Sequence, residues 1–338
     1  MSEKSQKIIT AVSFLFFVLA MTVFVWEGIY VPKTPGFKET KIFSAKKGEG
    51  TKQISINLEK QGFIKYGFLF RLYALTRGVA DKLQAGDYLL SPSMAMPEIT
   101  KKLVSGDIVR EKIIIIEGWN IRDISFYLEE LRAAKAADFS TLVNSARDFS
   151  GDFDFLSSKP EILSLEGYLF PDTYEIQKGE STEELVRKIL KNFGEKLTPE
   201  LREEIKKQDK TIFEIITMAS LVEKEVKTLE DKKLVSGVLW KRLENGMPLQ
   251  VDATISYITG KKNAKILIAD TQIDSPYNTY KYRGLPLGPI SNPGLDSIVA
   301  ALYPQESSYW YYLSTPEGQT IFSRTLDEHN QARAKYLK

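Results

Sequence analysis

The chain has 338 residues with 46 Lys and Arg against 44 Asp and Glu, a formal net charge of +2, a single histidine and no cysteine. The mixed, near-neutral surface offers no broad basic field, which argues against nucleic acid as a partner. Without cysteine there are no disulfides, no thiol catalysis and no lipidated cysteine, and a metal site would have only carboxylates and His329 to draw on, so neither metal nor cofactor is expected.

Residues 8–26, IITAVSFLFFVLAMTVFVW, are nineteen in a row without a charge. At about 1.5 Å per residue they cover the roughly 30 Å hydrocarbon core of a bilayer, which predicts one transmembrane helix in contact with membrane lipid. Lys4 and Lys7 precede it and Glu27 follows. The positive-inside rule therefore puts residues 1–7 in the cytoplasm and the rest outside, as in a single-pass protein of the cell (inner) membrane with a periplasmic or extracytoplasmic body. A cleaved signal peptide is the alternative, but its apolar stretch usually runs only about 7 to 15 residues, and no small-x-small cleavage site follows here. Residues 27–40, with Gly28, Pro32, Pro35 and Gly36 and no periodicity, are expected to be a linker.

The globular part opens with a repeat at an offset of 70: KGEGTKQISINLEK at Lys47 to Lys60 aligns with EGWNIRDISFYLEE at Glu117 to Glu130. Gly48/Gly118, Lys52/Arg122, Ile54/Ile124, Ser55/Ser125, Leu58/Leu128 and Glu59/Glu129 correspond. Each copy follows a β-prone run, KIFSAK or EKIIIIE, so the predicted unit is strand, glycine turn, helix. A helix near Tyr66 to Thr76, a strand around Gly86 to Leu90 and a helix at Pro97 to Ser105 are expected between the copies, and residues 41–160 are expected as one αβ region.

From residue 161 to 338 a mixed α/β domain is expected, which makes the fold class α+β. LSLEGYLFPDTYEI predicts a loop and strand against an apolar surface, with Tyr168 and Phe170 in the core. Ser181 with Glu184, Thr198 with Pro199, and Thr211 with Glu214 mark three helix starts. A further helix from about Glu230 to Asn245 stops at Gly246 and Pro248, and the stretch from Gln250 to Pro304 is expected to be ordered loops.

The Thr211 helix ends in ASLVEKEV, with two glutamates in an otherwise apolar setting. At roughly 100° per residue, Ile215, Ala219, Val222 and Val226 form one stripe and Glu223 lies at its edge beside Ala219 and Ser220. Desolvation there is expected to raise its pKa and keep a proton on it. Glu225 falls on the other flank beside Leu221 and Leu229, and the geometry favours Glu223 only mildly.

ASLVEKEV, VSGVLWKRLENGMPLQVDATISY at Val235 to Tyr257, SPYNTYKYRGLPLGPISNPG at Ser275 to Gly294 and LEGYLFPDTY at Leu165 to Tyr174 together resemble the MltG (YceG-like) family of membrane-anchored endolytic murein transglycosylases, over nearly the whole length. The resemblance implies a LysM-like αβ region and a lyase that cuts the β-1,4 bond between N-acetylmuramic acid and N-acetylglucosamine, leaving a 1,6-anhydro end. It places the catalytic glutamate on Glu223, as general acid to the glycosidic oxygen and then general base to the C6 hydroxyl, so one carboxyl suffices. It implies that Gln250, Asp252, Asn278, Thr279, Tyr280 and Asn292 offer hydrogen bonds to sugar, and that Tyr277 or Tyr282 stacks on ring faces. Asp252 and Asn278 have a turn-forming or capping role as an equal alternative. Ser220, Glu225, His329 and Asn330 are expected as supporting residues, although a capping histidine is the default for His329. Peptidoglycan strands and, as partners, the peptidoglycan synthases (penicillin-binding proteins) follow from the same resemblance.

Two other functions stay open from the residues. One is a non-catalytic peptidoglycan-binding scaffold, and the other is a hydrolytic muramidase, whose products differ from those of a lyase by one water. SAKK at Ser44 to Lys47 matches S-x-x-K formally, but no S-D-N or K-T-G accompanies it.

Overall fold

The structure is a computed structural model describing residues 3–145, 149–177, 180–261 and 266–337. It divides into two compact units, Met1–Glu111 with Glu175–Gly179, and Lys112–Tyr174 with Glu180–Lys338.

In the first unit, helix α1 (Glu3–Tyr30) is long and apolar enough to cross a membrane, and side chains such as Leu15 and Phe16 are exposed along it. It runs four residues past Trp26, so residues expected in the linker are helical. The reason is packing at Gly28, where even a Cβ would come within 2.2 Å of the Leu69 side chain, and an ion pair of Glu27 with Lys65 at 2.9 Å. Strand β1 (Lys41–Ala45) pairs antiparallel with β2 (Gly86–Leu90), with Phe43 opposite Tyr88. Helices α2 (Thr51–Lys60), α3 (Gly67–Thr76) and α4 (Met96–Ser105) close over this hairpin around Phe43, Leu58, Phe70, Tyr88 and Leu103, all fully buried.

The second copy of the repeat consists of β3 (Arg110–Ile114) and α5 (Ile121–Glu130), and α5 starts and ends 70 residues after α2. Gly48 at φ 88° and Gly118 at φ 75° make the two turns in the left-handed region where a Cβ is penalised. The division between units falls inside the stretch 41–160 expected as one region. The physical reason lies in where the second turn bonds: Gly118 N–H donates to Asn292 O at 2.9 Å, and Ile121 N–H to the Glu166 carboxylate at 3.1 Å.

The second unit continues with α6 (Ala136–Asn144), α7 (Thr182–Lys196), α8 (Pro199–Lys207), α9 (Ile212–Glu225) and α10 (Leu229–Glu244), while β4 (Thr173–Gln177), which pairs with β3, begins in the second unit and ends in the first. Ser181 and Thr211 form the expected capping boxes with Glu184 and Glu214, and Thr198 caps α8 ahead of Pro199. Tyr168 and Phe170 pack around Phe193, as expected of core rings. The stretch expected as loops contains two short helices, α11 (Asp252–Thr259) and α12 (Leu295–Leu302); at eight residues each they are too brief to show a periodicity. A hairpin of β5 (Tyr311–Ser314) and β6 (Thr320–Ser323) and a helix α13 (Leu326–Tyr336) follow.

Helices α9, α10 and α12 form the core of this unit through Ile215, Ala219, Val222, Val235, Leu239, Ile298 and Ala301, none more than 1% exposed. Gly237 lets α10 approach the loop after α12, since a Cβ there would lie 2.0 Å from the Gln305 carbonyl oxygen. Alanine in a helix normally gains about 1 kcal/mol over glycine. Gly237→Ala is nevertheless expected to lose about 1–3 kcal/mol, because the clash is with backbone; a lowered urea midpoint checks it.

Candidate active site

Helix α9 carries both glutamates in its last turn. Its eight consecutive buried residues, Ile215 to Val222, sink it in the core, and only the end emerges. Two residues apart on an α-helix means about 200° of rotation, so Glu223 and Glu225 serve opposite sides.

Glu223 faces α10 and α12. Its carboxylate pairs with the Lys232 ammonium at 3.2 Å and accepts from Gly294 N–H at 3.0 Å and Ser297 Oγ at 2.6 Å. Gly294 is the N-cap of α12, so the carboxylate also sits where the helix dipole favours an anion. The two charged side chains are 8% and 4% exposed, Glu223 and Lys232 respectively. The apolar rim expected for Glu223 is thus a set of three donors. A carboxylate so held is an internal clamp, poorly placed to hand a proton outward. Glu117 lies against Gly294 nearby, and burial together with the Glu223 charge holds its carboxyl above the usual range.

Glu225 has the opposite environment. Burial first, and then the negative charge of Asp252, push its carboxyl up to about 7, against a lowering hydrogen bond from the Tyr312 hydroxyl. Tyr312, on β5, is itself held protonated by burial and by the neighbouring Glu225. Asp252, exposed at the start of α11, accepts the Tyr280 hydroxyl. Just before it, Gln250 takes φ 54°, a left-handed conformation uncommon for a residue with a side chain. Beneath the group, Arg242 is buried and donates to Trp310 O at 2.8 Å and Leu249 O at 2.9 Å, tying α10 to β5 and to the Gln250 loop. A half-buried acid with a raised pKa, beside an exposed anion and a tyrosine pair, is an arrangement suited to donating a proton and then stabilising positive charge.

Of the residues expected to hold sugar, Asp252 and Tyr280 gather near Glu225, and Gln250 is exposed two residues before Asp252. Asn278 donates to Thr271 O and Ile273 O and accepts from Tyr280 N–H and Lys281 N–H, which builds its own loop. Thr279 accepts from Val251 N–H and bonds Thr254, which fixes the turn ahead of α11. Asn292 is fully buried and spends its amide on Gly167, Leu169, Trp119 and Glu166. Ser220 is buried between Thr217 O and Ile290 N–H. Tyr282 is exposed and bonds Asp274, and Tyr277 stands beside Tyr257, ring centres 5.1 Å apart. His329 stacks on Tyr311 at 5.3 Å, and burial holds its pKa below the ordinary value; Asn330 is exposed on α13. Tyr312, Arg242, Lys232 and Ser297 were not singled out by sequence. Only Arg242 lay within a motif, and the aromatic run Tyr309 to Tyr312 was the remaining signal.

The site is thus a carboxylate centre assembled on a helix end, of the kind found in glycan-cleaving enzymes. The profile of the YceG-like family matches residues 43–335. An endolytic murein transglycosylase of Bacillus subtilis (strain 168) is 33% identical over 321 residues, covering 92% of this chain and 89% of the relative. One of Streptococcus pneumoniae (serotype 2, strain D39) is 33% identical over 316 residues, 86% of this chain and 57% of the relative. The crystal structure of a yceG-like protein from Listeria monocytogenes aligns with a TM-score of 0.60 at 34% identity, covering 87% of this chain and 99% of that one. The chain belongs to the YceG-like family.

The two glutamates are expected to separate in stability measurements. Glu223→Ala leaves Lys232 buried without its partner, a loss of about 3–5 kcal/mol. The Glu225 carboxyl, pushed up to about 7 by burial, stands above the ordinary range of a glutamate in the unfolded chain. The native state therefore keeps a proton that the unfolded chain has released, and stability falls as pH rises across that window. Glu225→Gln removes this loss, so the variant should melt higher than the parent at pH 8 and about equally at pH 4; thermal scans at both pH values check it.

Proposed function

We propose that the chain is a membrane-anchored endolytic murein transglycosylase of the MltG type and that Glu225, rather than Glu223, is its acid and base. The observation that carries this is the convergence of Asp252, Tyr280 and Tyr312 on a half-buried carboxyl poised near neutral pH, in a chain whose family match spans residues 43–335. The relatives named above as endolytic murein transglycosylases supply the reaction class.

In the reaction, protonated Glu225 gives its proton to the glycosidic oxygen between N-acetylmuramic acid and N-acetylglucosamine. As the bond breaks, positive charge on the muramic ring is stabilised by the Asp252 carboxylate, itself oriented by Tyr280. The Glu225 carboxylate then takes the proton from the C6 hydroxyl as that oxygen attacks the anomeric carbon, closing the 1,6-anhydro ring. Tyr312 donates to the carboxylate when it is charged and so evens out the two halves of the cycle.

Helix α1 anchors the protein in the cell membrane with residues 1–7 inside, in line with the Lys4, Lys7 and Glu27 asymmetry, and the two strand–turn–helix copies are LysM-like elements facing new glycan. Peptidoglycan synthases are the partners expected at that location.

Full-length protein in detergent, incubated with sacculi, should release anhydro-muropeptides by mass spectrometry. Glu225→Gln should reduce this by at least about 100-fold, as loss of general acid–base catalysis does. Activity should fall as pH rises above about 7, because the acid form of Glu225 is lost. A folded Glu225→Gln chain of undiminished activity sinks the assignment. Products one water heavier would make the enzyme a hydrolase, with Asp252 as the second carboxylate acting on water. Binding to sacculi without any product would leave a scaffold.

A further inference from the structure

A cavity of about 370 Å³ opens in the same unit, beside the far half of α11, and the chemistry above makes no use of it. Its walls include Arg122 from α5, Ser140 and Asn144 from α6, Tyr257 from α11, and Ser275 and Tyr277 from the loop before Asn278. The guanidinium of Arg122 donates to Tyr257 O at 2.7 Å and lies 5.7 Å from the centre of the Tyr257 ring. It is therefore fixed in direction, yet exposed, and among the described residues no carboxylate forms an ion pair with it. An immobilised guanidinium is well suited to meet a planar anion with two N–H groups.

The acid closest to hand does not neutralise it. Glu166 forms the floor, accepting from Ile121 N–H at 3.1 Å and Asn292 Nδ2 at 3.0 Å, and burial pushes its carboxyl up to about 8. Burial thus favours the protonated form of the floor, and the exposed Arg122 guanidinium carries its charge at the cavity wall. Two phenol rings, Tyr257 and Tyr277, inclined at 50°, complete a pocket for something partly apolar and bearing an anion.

In murein that carries its stems the lactyl carboxyl of each muramic acid is tied up as an amide, so the free carboxylates are those of the peptide stems. Tyr257 lies five residues beyond Asp252 on α11, about 7.5 Å along the axis. A stem of three residues, at about 3.5 Å each, reaches that far. We propose that this cavity binds the peptide stem of a muramic acid close to the cleaved bond, with Arg122 on a stem carboxylate, so that the protein selects strands that still carry their peptides. The proposal rests on the transglycosylase reading, extending it to substrate choice.

The test compares glycan strands carrying stems with matched strands stripped by an amidase and then amidated at the lactyl carboxyl that stripping exposes, using the full-length chain in detergent. The parent should favour stemmed strands by about tenfold in kcat/KM, the weight of one charge-assisted hydrogen bond. Arg122→Gln should bring that ratio close to one by raising KM on stemmed strands, with the rate on stripped strands unchanged. Asn144→Trp, which fills the cavity from an exposed position on α6, should do the same without touching the Arg122 bond to Tyr257. Equal cleavage of both substrates by the parent, or an undiminished preference in both variants, overturns the proposal. If the parent cuts neither substrate, it is the transglycosylase reading that falls. The pocket is then decided by calorimetry with the released stem peptide, where saturable binding lost in Arg122→Gln upholds it and no binding overturns it.

Discussion

The buried charge pair of Glu223 and Lys232, set against the first turn of α12, is the contact on which the second unit depends. It joins α9, α10 and α12 at one point, with Gly294 N–H and the Ser297 hydroxyl completing the shell. Buried ion pairs contribute little net stability compared with apolar packing, because desolvation consumes most of the Coulomb attraction. What this one supplies is direction. With the last turn of α9 pinned on one side, the opposite side, where Glu225 lies, has a fixed orientation toward β5 and the start of α11.

Two carboxylates one residue apart from being neighbours thus acquire contrary characters from their surroundings. Glu223 is met by an ammonium, a hydroxyl and a backbone donor. Glu225 is met by low dielectric and a nearby anion, which raise its proton affinity, and by a single tyrosine hydroxyl, which lowers it. Environments that drive like groups apart are how a fold divides structural from chemical duty among identical side chains. Asp252 shares in this, because its charge lifts the Glu225 pKa.

Much of the fold was legible in the residues. The long uncharged run, the offset-70 repeat and the three capping signatures all correspond to elements, because each is a local signal that propensity and side-chain chemistry decide within a few residues. The choice between Glu223 and Glu225 was not legible in that way. A helical wheel reports which face a side chain leaves by, but not what waits there, and Lys232, Ser297, Asp252 and Tyr312 arrive from segments 7 to 87 positions further along the chain. For the same reason Asn278, Thr279 and Asn292, polar residues in motifs that suggested sugar contacts, proved to be bonded inside the protein. Their partners are mostly backbone groups, which a sequence does not distinguish.

Gln250 illustrates a different kind of selection. Its left-handed backbone is a position where glycine would fold at less expense, by about 1 kcal/mol. The flanking turns do use glycine: Gly246 and Gly260 adopt the same region without penalty. A side chain retained at the strained position, two residues before Asp252 and exposed to solvent, marks the place in this loop where stability has been traded against something else. Laboratory evolution toward thermal tolerance alone would be drawn to replace it early, and the activity of the survivors would measure what the amide is for.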